Sequence, residues 1–237
     1  MTTPQTFDQT LFKICKIHAA WLPITNGFEL GDYGIIDSGI FRKLGNVTRD
    51  FGLTFITKPG ASSNVKFSSN GVAVTHVSGE AEAKLAGNAD VTATLSISFE
   101  KTDSFYISGS LSSLEIQDIA ALSKKLRRTL DWQTKHYVIS STYIGQTCTI
   151  ISSLDAGASI TLSGNASDLT LLEAGKAAGG IDVTSKRHIG IEIIGERGII
   201  GINMFRLKFW SDTPKLLSET EKEDLDFTSQ QDELRSD

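Results

Sequence analysis

From Ala89 to Phe99 apolar and polar positions alternate without a break: Ala89, Val91, Ala93, Leu95, Ile97 and Phe99 against Asp90, Thr92, Thr94, Ser96 and Ser98. Period two over this length predicts a β-strand with one dry face and one wet face. The wet face carries small hydroxyls rather than long charged side chains. That suits a strand tolerated in water, and equally one set between lipid and an aqueous lumen. Ala158, Ile160 and Leu162 repeat the pattern against Ser159, Thr161 and Ser163. The partner of 89–99 is expected within 72–85, where Val72 and Val74, then Ala81, Ala83 and Leu85, make a weaker band.

Helical spacing occurs twice. Thr6 and Gln9 stand as a capping box before Phe7, Leu11, Ile14, His18 and Trp21, which predicts a helix over 7–20, stopped ahead of Pro23. Ser112 and Glu115 make a second box, with a helix expected to run to Trp132 on a stripe of Ile119, Leu122, Leu126 and Leu130. Lys124, Lys125, Arg127 and Arg128 crowd its end, where cations suit the negative pole of the helix dipole. Between the helices, Gly31, Gly34, Gly39 and Gly45 break the chain into short strands, without the spacing of a nucleotide-binding loop.

Asn70-Gly71 reads as a two-residue hairpin turn between Val65, Phe67 and Val72, Val74, and Gly87-Asn88 as a further bend. Further strands are expected over 136–144, 147–152 and 158–164, with turns at Gly145-Gln146 and Asp155-Ala156-Gly157. The stretch 169–180 is ambiguous. Segments 188–194 and 199–210 are expected to pair with each other across Gly195-Gly198, and Pro214 to close the folded body. The fold class is therefore α+β: a twisted antiparallel sheet with long amphipathic hairpins, an N-terminal helix and one basic-ended helix.

A chain of 237 residues can bury one large core, so residues 1–216 are read as a single β-rich domain. No apolar run reaches the 18 residues a membrane helix needs, and the first residues lack the basic and apolar regions of a secretory signal. Cys15 and Cys148 are too few for a disulfide framework, which fits a reduced, intracellular setting. The net charge of −5 is uneven: from Ser218 onward eight carboxylates meet only Lys222 and Arg235, giving −6 and leaving +1 for the body. Residues 217–237 thus form a separate acidic tail.

No catalytic signature is present. His18, His76, His136 and His188 are scattered, none at metal-ligand spacing from another His or Cys, and there is no Gly-x-Ser-x-Gly elbow, Walker loop or His-Glu-x-x-His. The chain is read as non-enzymatic, with no catalytic or metal residues and no cofactor. Cys148 is expected as a small buried hydrophobe and His18 as a packed, hydrogen-bonded side chain. Nucleic acid is a poor partner for a near-neutral body whose basic patch has no interleaved aromatics.

Three landmarks resemble the pore-forming gasdermins, especially their small bacterial members. Trp21-Leu22-Pro23 followed by Phe41-Arg42-Lys43-Leu44-Gly45-Asn46 is similar to an early stretch of that family. The strand His136 to Ile144 is similar to one the family places after a basic-ended helix. The order of elements over residues 15 to 210 is the third likeness. The resemblance implies a dormant cytoplasmic protein blocked by its C-terminal segment. Proteolysis would release it to form a large homo-oligomer, inserting hairpins into the inner membrane as a death effector against phage. Its partners would be copies of itself, an anionic membrane and an activating protease. On that reading Val91, Ala93, Leu95, Ile97 and Phe99 of one hairpin and Ile160 and Leu162 of another meet lipid, and Lys124, Lys125, Arg127 and Arg128 touch headgroups. One departure is that bacterial members often carry a lipidated cysteine near the start, whereas the first here is Cys15. The alternative is a soluble β-rich interaction or structural module with an acidic partner-binding tail, since a half-buried soluble sheet shows the same alternation.

Overall fold

Two antiparallel sheets carry the fold in a computed structural model that describes residues 3–78, 92–176, 178–207 and 214–216. The first part of the chain runs α1 (Thr3–Cys15), β1 (His18–Ala19), β2 (Asp32–Asp37), β3 (Ile40–Asn46), α2 (Val47–Phe51), β4 (Thr57–Ser68) and β5 (Val72–Ser78). Then follow β6 (Thr92–Phe99), β7 (Phe105–Ile116), α3 (Ile119–Arg127), β8 (Tyr137–Ser153) and β9 (Ala158–Asn165). The last part is α4 (Ala166–Glu173), β10 (Asp182–Arg187), β11 (Ile189–Leu207) and β12 (Pro214–Leu216). The α+β class read from the sequence is the class observed.

The larger sheet has the order β1-β11-β8-β2-β3, with β12 also on β11, β7 also on β8, and β4 on β7. The smaller has the order β10-β9-β6-β5. Within the larger sheet, β4, β7, β8 and β11 are successive neighbours, and in the smaller so are β5, β6, β9 and β10. Each of the first four is joined through a short corner to its counterpart in the second. The two sheets are therefore two legs of one four-stranded ribbon, folded over along a single line.

That line has a consistent chemistry. Each crossing contains one residue at positive φ: Gly71 (84°), Asp103 (52°), Gly157 (80°) and His188 (52°). Pairing does not stop there. Ser69 N donates to Phe105 O and Glu100 N to Gly71 O, Ser153 N to Ser104 O, Gly157 N to Phe99 O, and Leu154 N to His188 O, at 2.8–3.0 Å. Serines close the gaps that the bend opens, Ser152 and Ser153 buried and Ser69 half-buried: Ser69 Oγ accepts from Phe105 N, Ser153 Oγ from Ser104 N, and Ser152 Oγ from Ile191 N. A backbone donor buried without a partner costs about 1–3 kcal/mol, so these hydroxyls are what make the corner affordable to the fold.

Burial follows the pleat. On β7 and β8, Phe105, Ile107, Cys148 and Ile150 face Phe7 and Leu11 of α1, whereas Tyr106 and Ile151 face the smaller sheet. Covered on both faces, these strands read as nearly continuous apolar or small residues. Leu169 and Leu172 of α4 fill the space between the two legs. Leu122 and Leu126 of α3 pack on Val138, Ile139 and Phe205 at the other end of the larger sheet. Cys148 is the buried hydrophobe expected of it, its thiol pushed up to about 12 by burial.

Several expectations are corrected. The first helix spans Thr3–Cys15 rather than 7–20. Lys16 turns at φ 58°, and Asp8 Oδ1 takes Ala19 N at 2.7 Å and His18 Nδ1 at 3.3 Å, drawing the next residues into a strand on β11. His18 is still the packed, hydrogen-bonded residue anticipated. Residues 112–116 belong to β7, because pairing with β8 and β4 outcompetes the local capping box. The helix after them starts at the Asp118 cap and ends at Arg127, leaving Leu130 99% exposed. Asn70-Gly71 closes no hairpin, since β4 pairs with β7 and β5 with β6; it is a corner. The strand β8 runs straight through Gly145-Gln146, where a Cβ at Gly145 would stand 2.3 Å from Cys148 Sγ. Segments 189–194 and 199–207 do not pair with each other but form the single strand β11 on β8. Pro214 begins a short strand on β11 instead of ending the body. The bend at Gly87-Asn88 and the band at Ala81, Ala83 and Leu85 lie outside the described residues.

Just after α4, Gly175 (φ 67°) lies flat on the larger sheet, where an added Cβ would be 2.2 Å from Ser110 N and 2.3 Å from the Gly109 carbonyl carbon. Gly52 has a similar φ of 64° with nothing within 4 Å of the same atom. Gly52→Ala is expected to cost about 1 kcal/mol through backbone strain alone, and Gly175→Ala about 2 kcal/mol or more because α4 must also shift. Urea unfolding checks this, and equal losses at the two sites would remove close packing as the reason for glycine at 175.

Candidate functional site

The smaller sheet brings together the residues that alternation singled out in two distant stretches. Leu95 stands opposite Leu162, Ile97 opposite Ile160, and Phe99 opposite Ala158, with Val72 and Val74 completing the row on β5. All of these side chains lie on one face. Leu95 and Phe99 are 1% exposed, and Ile97, Ile160 and Leu162 are fully covered, by α4 and by Tyr106, Ile151 and Ile189 of the larger sheet. Ala93 is buried beside them. Val91 lies outside the described residues.

The opposite face of this sheet is formed by Thr92, Thr94, Ser96 and Ser98 of β6 with Ser159, Thr161 and Ser163 of β9, in register. Ser96 and Thr161 hydroxyls meet at 3.2 Å. These two central strands thus carry a neutral, hydroxyl-lined wet surface against a continuous dry one. Among the described residues, ionisable side chains stand on the dry face only at the ribbon's edges. His76 of β5, opposite Leu95, lies 3.5 Å from Glu173, and Lys186 of β10, opposite Ile160, pairs with Glu192 of β11 at 2.5 Å.

The basic cluster lies elsewhere, at the end of α3. Asp118 caps the helix through Ala121 N at 2.8 Å, and the cations fall in the last turn and at the C-cap Arg128, at the negative end of the helix dipole. Lys124 and Arg128 are exposed; Lys125 is exposed too, its Nζ donating to Thr54 O at 2.8 Å. Arg127 is half-buried. Beneath them Tyr33, Phe51, Trp132 and His136 form a ring cluster with centroids 5.3–5.9 Å apart. His136 is held below its ordinary pKa by burial and then by the charge of Lys135, so it adds no cation at neutral pH. The strand β12 lies against α3.

Sequence reasoning anticipated both the dry strands and the basic end. It missed Glu173, Glu192 and the serine-lined corner, since their partners come from separate strands and no local spacing marks them. Among the described residues, no helix is long and apolar enough to cross a membrane.

No protein-family model and no curated protein matches the chain. Among solved structures it is similar to a bacterial gasdermin from Bradyrhizobium tropiciagri, with 12% identity and a TM-score of 0.39 over 89% of this chain and 90% of that one. It is also similar to the Gasdermin A3 membrane pore determined by cryo-electron microscopy, with 11% identity and a TM-score of 0.36 over 94% and 96% of the two chains. Superpositions this loose assign no family.

Burial of Leu95 changes what a substitution there would report. Leu95→Asp places an unpaired carboxylate between the legs and is expected to destabilise the folded protein by upwards of about 3 kcal/mol, before any membrane is involved. Ser98→Asp, on the exposed wet face two pleats away, is expected to stay within about 0.5 kcal/mol. Thermal unfolding of the two variants decides it, and a Leu95→Asp protein as stable as the parent would show that the dry face is not core.

Proposed function

We propose that the chain is a gasdermin-like membrane pore former, non-enzymatic and without a cofactor. In this reading the two legs of the ribbon straighten into long hairpins, 57–116 and 137–207, and the dry face of the smaller sheet exchanges its cover of α4 and the larger sheet for lipid. The observation that carries the proposal is the shared strand order of the two sheets, with hydrogen bonding continuous through the corner. Straightening then needs no strand to change partners. A tilted membrane strand takes about 9–11 residues, apolar outward and polar inward. The eight residues of β6 and the eight of β9 come close to that before any flanking residue is added.

Residues 217–237 act in this reading as the restraint, removed by a protease. Their charge is −6, and their loss takes the protein from −5 to +1. The released protein assembles with copies of itself at an anionic membrane, the bacterial inner membrane in the antiphage role that the sequence resemblance implies. Lys124, Lys125, Arg127 and Arg128 are the headgroup contacts. A second reading, the soluble β-rich module with a partner-binding tail, is favoured by one fact: the apolar side chains of β6 and β9 on the dry face are already buried within the chain and need no lipid to explain them.

Dye release from anionic liposomes separates the two. Full-length protein is expected to leave vesicles intact and a chain ending at Leu217, which keeps β12, to empty them. Neutralising Lys124 and Arg128 in the shorter chain is expected to weaken binding to anionic vesicles by about 2 kcal/mol, near thirtyfold. Intact vesicles with both chain lengths would overturn the pore reading in favour of the module.

A further inference from the structure

Glu173 sits in the last turn of α4, its side chain 15% exposed. One of its oxygens accepts from Lys66 Nζ at 2.5 Å and lies 3.5 Å from the Tyr106 hydroxyl; the other is 3.5 Å from His76 Nε2. Lys66 is on β4 and Tyr106 on β7, in the larger sheet, whereas His76 is on β5, in the smaller. A single carboxylate thus holds both legs of the ribbon's first strand, one on each side of the Ser69–Gly71 corner.

We propose that Glu173 is a clasp specific to the folded ribbon, an internal restraint that needs no part of residues 217–237. Lys66 and His76 are ten residues apart in sequence. In a straight strand, at about 3.3 Å per residue, that is roughly 33 Å, far beyond the reach of one side chain. The contact therefore exists only while the ribbon is bent, and straightening must break it. The other edge repeats the device in smaller form: Lys186 and Glu192 lie either side of the His188 corner, in contact when bent and roughly 20 Å apart when straight.

The helix itself gives no reason for a carboxylate here. An acidic side chain at the negative end of a helix dipole is unfavourable, and α4 has neither a basic residue in its last turn nor a side-chain cap at Asn165. What offsets the placement is the ammonium of Lys66 on the ribbon. Lys66 fits this: burial is the largest single effect and lowers its pKa, but the hydrogen bond it donates to Glu173, together with the charges of Tyr106 and Glu173, outweighs that and holds it above its ordinary value. The clasp also fixes the point where the chain leaves α4 to lay Gly175 on Gly109.

The inference deepens the pore reading but can be tested without a membrane. Hydrogen exchange of the full chain at neutral pH is compared with that of Glu173→Gln, Lys66→Glu and the charge-swapped double variant Lys66→Glu/Glu173→Lys. Glu173→Gln is expected to speed exchange of amides in α4 and β5 by roughly tenfold, with β8 and β11 of the larger sheet unchanged. The swapped pair is expected to recover most of the protection that Lys66→Glu alone loses. Unchanged exchange in α4 and β5, or equal acceleration everywhere, would overturn the clasp. Dye release by Glu173→Gln is scored separately: faster local exchange with intact vesicles would leave the clasp standing and count against pore formation alone.

Discussion

Continuity of hydrogen bonding through the corner is the constraint on which the rest of the molecule depends. A four-stranded ribbon cannot fold over without tearing its ladders unless each strand finds a backbone geometry and a set of partners at the same level. Here each crossing supplies one left-handed residue, glycine at 71 and 157, aspartate at 103 and histidine at 188. A non-glycine residue in that region costs about 1–2 kcal/mol, and the Asp103 carboxylate is held there by accepting from Thr3 Oγ1 at 2.7 Å. The serine hydroxyls of 69, 152 and 153 then take up donors that the bend leaves without a carbonyl. Because the ladders survive, the fold keeps its strand order on both sides of the line.

Once folded over, the ribbon is held mainly by what it buries. Leu95, Ile97, Phe99, Ile160 and Leu162 are covered between the legs, and at roughly 1.5–3 kcal/mol each they contribute on the order of 10 kcal/mol. The edge ion pairs are smaller. Lys66 and Lys186 are each about half exposed, and pairs of that kind contribute about 1 kcal/mol. Breaking the clasps alone cannot open the ribbon in water, because the dry face would then be exposed. The ion pairs set a threshold, and only another apolar environment can replace the interior that the dry face loses.

This division explains what could be read from the chain and what could not. The dry strands were legible because burial on one face writes a period of two into adjacent residues, as at Ala93 to Phe99. The α1 stripe at Phe7 and Leu11 was legible for the same reason at helical spacing, although the helix ends were not. At Cys15 and again at Ser112 the outcome is decided by strands distant in sequence, β11 in one case and β4 and β8 in the other. Asn70-Gly71 has the composition of a hairpin turn because a corner and a hairpin ask the same thing of the backbone, a positive φ. Whether the flanking strands pair with each other or with third parties is not recorded locally. Glu173 was invisible for a related reason: Lys66, His76 and Tyr106 converge on it from three strands.

The charges on the dry face bear on how such a ribbon would meet lipid. In the proposed function that face becomes the membrane surface, where a lysine costs about 2–4 kcal/mol at the midplane and about 0–1 near the interface. Lys186 is two residues from the His188 corner, roughly 7 Å along the strand, so with the corner at headgroup level it stays shallow. His76 is five residues past Gly71, roughly 16 Å, which in a hydrocarbon core about 30 Å thick is close to the midplane. The shallow position thus holds the ammonium, a compact and strongly hydrated charge, and the deep position holds the imidazole ring. In the folded protein each faces a glutamate, Glu173 at 3.5 Å and Glu192 at 2.5 Å, and straightening separates both pairs.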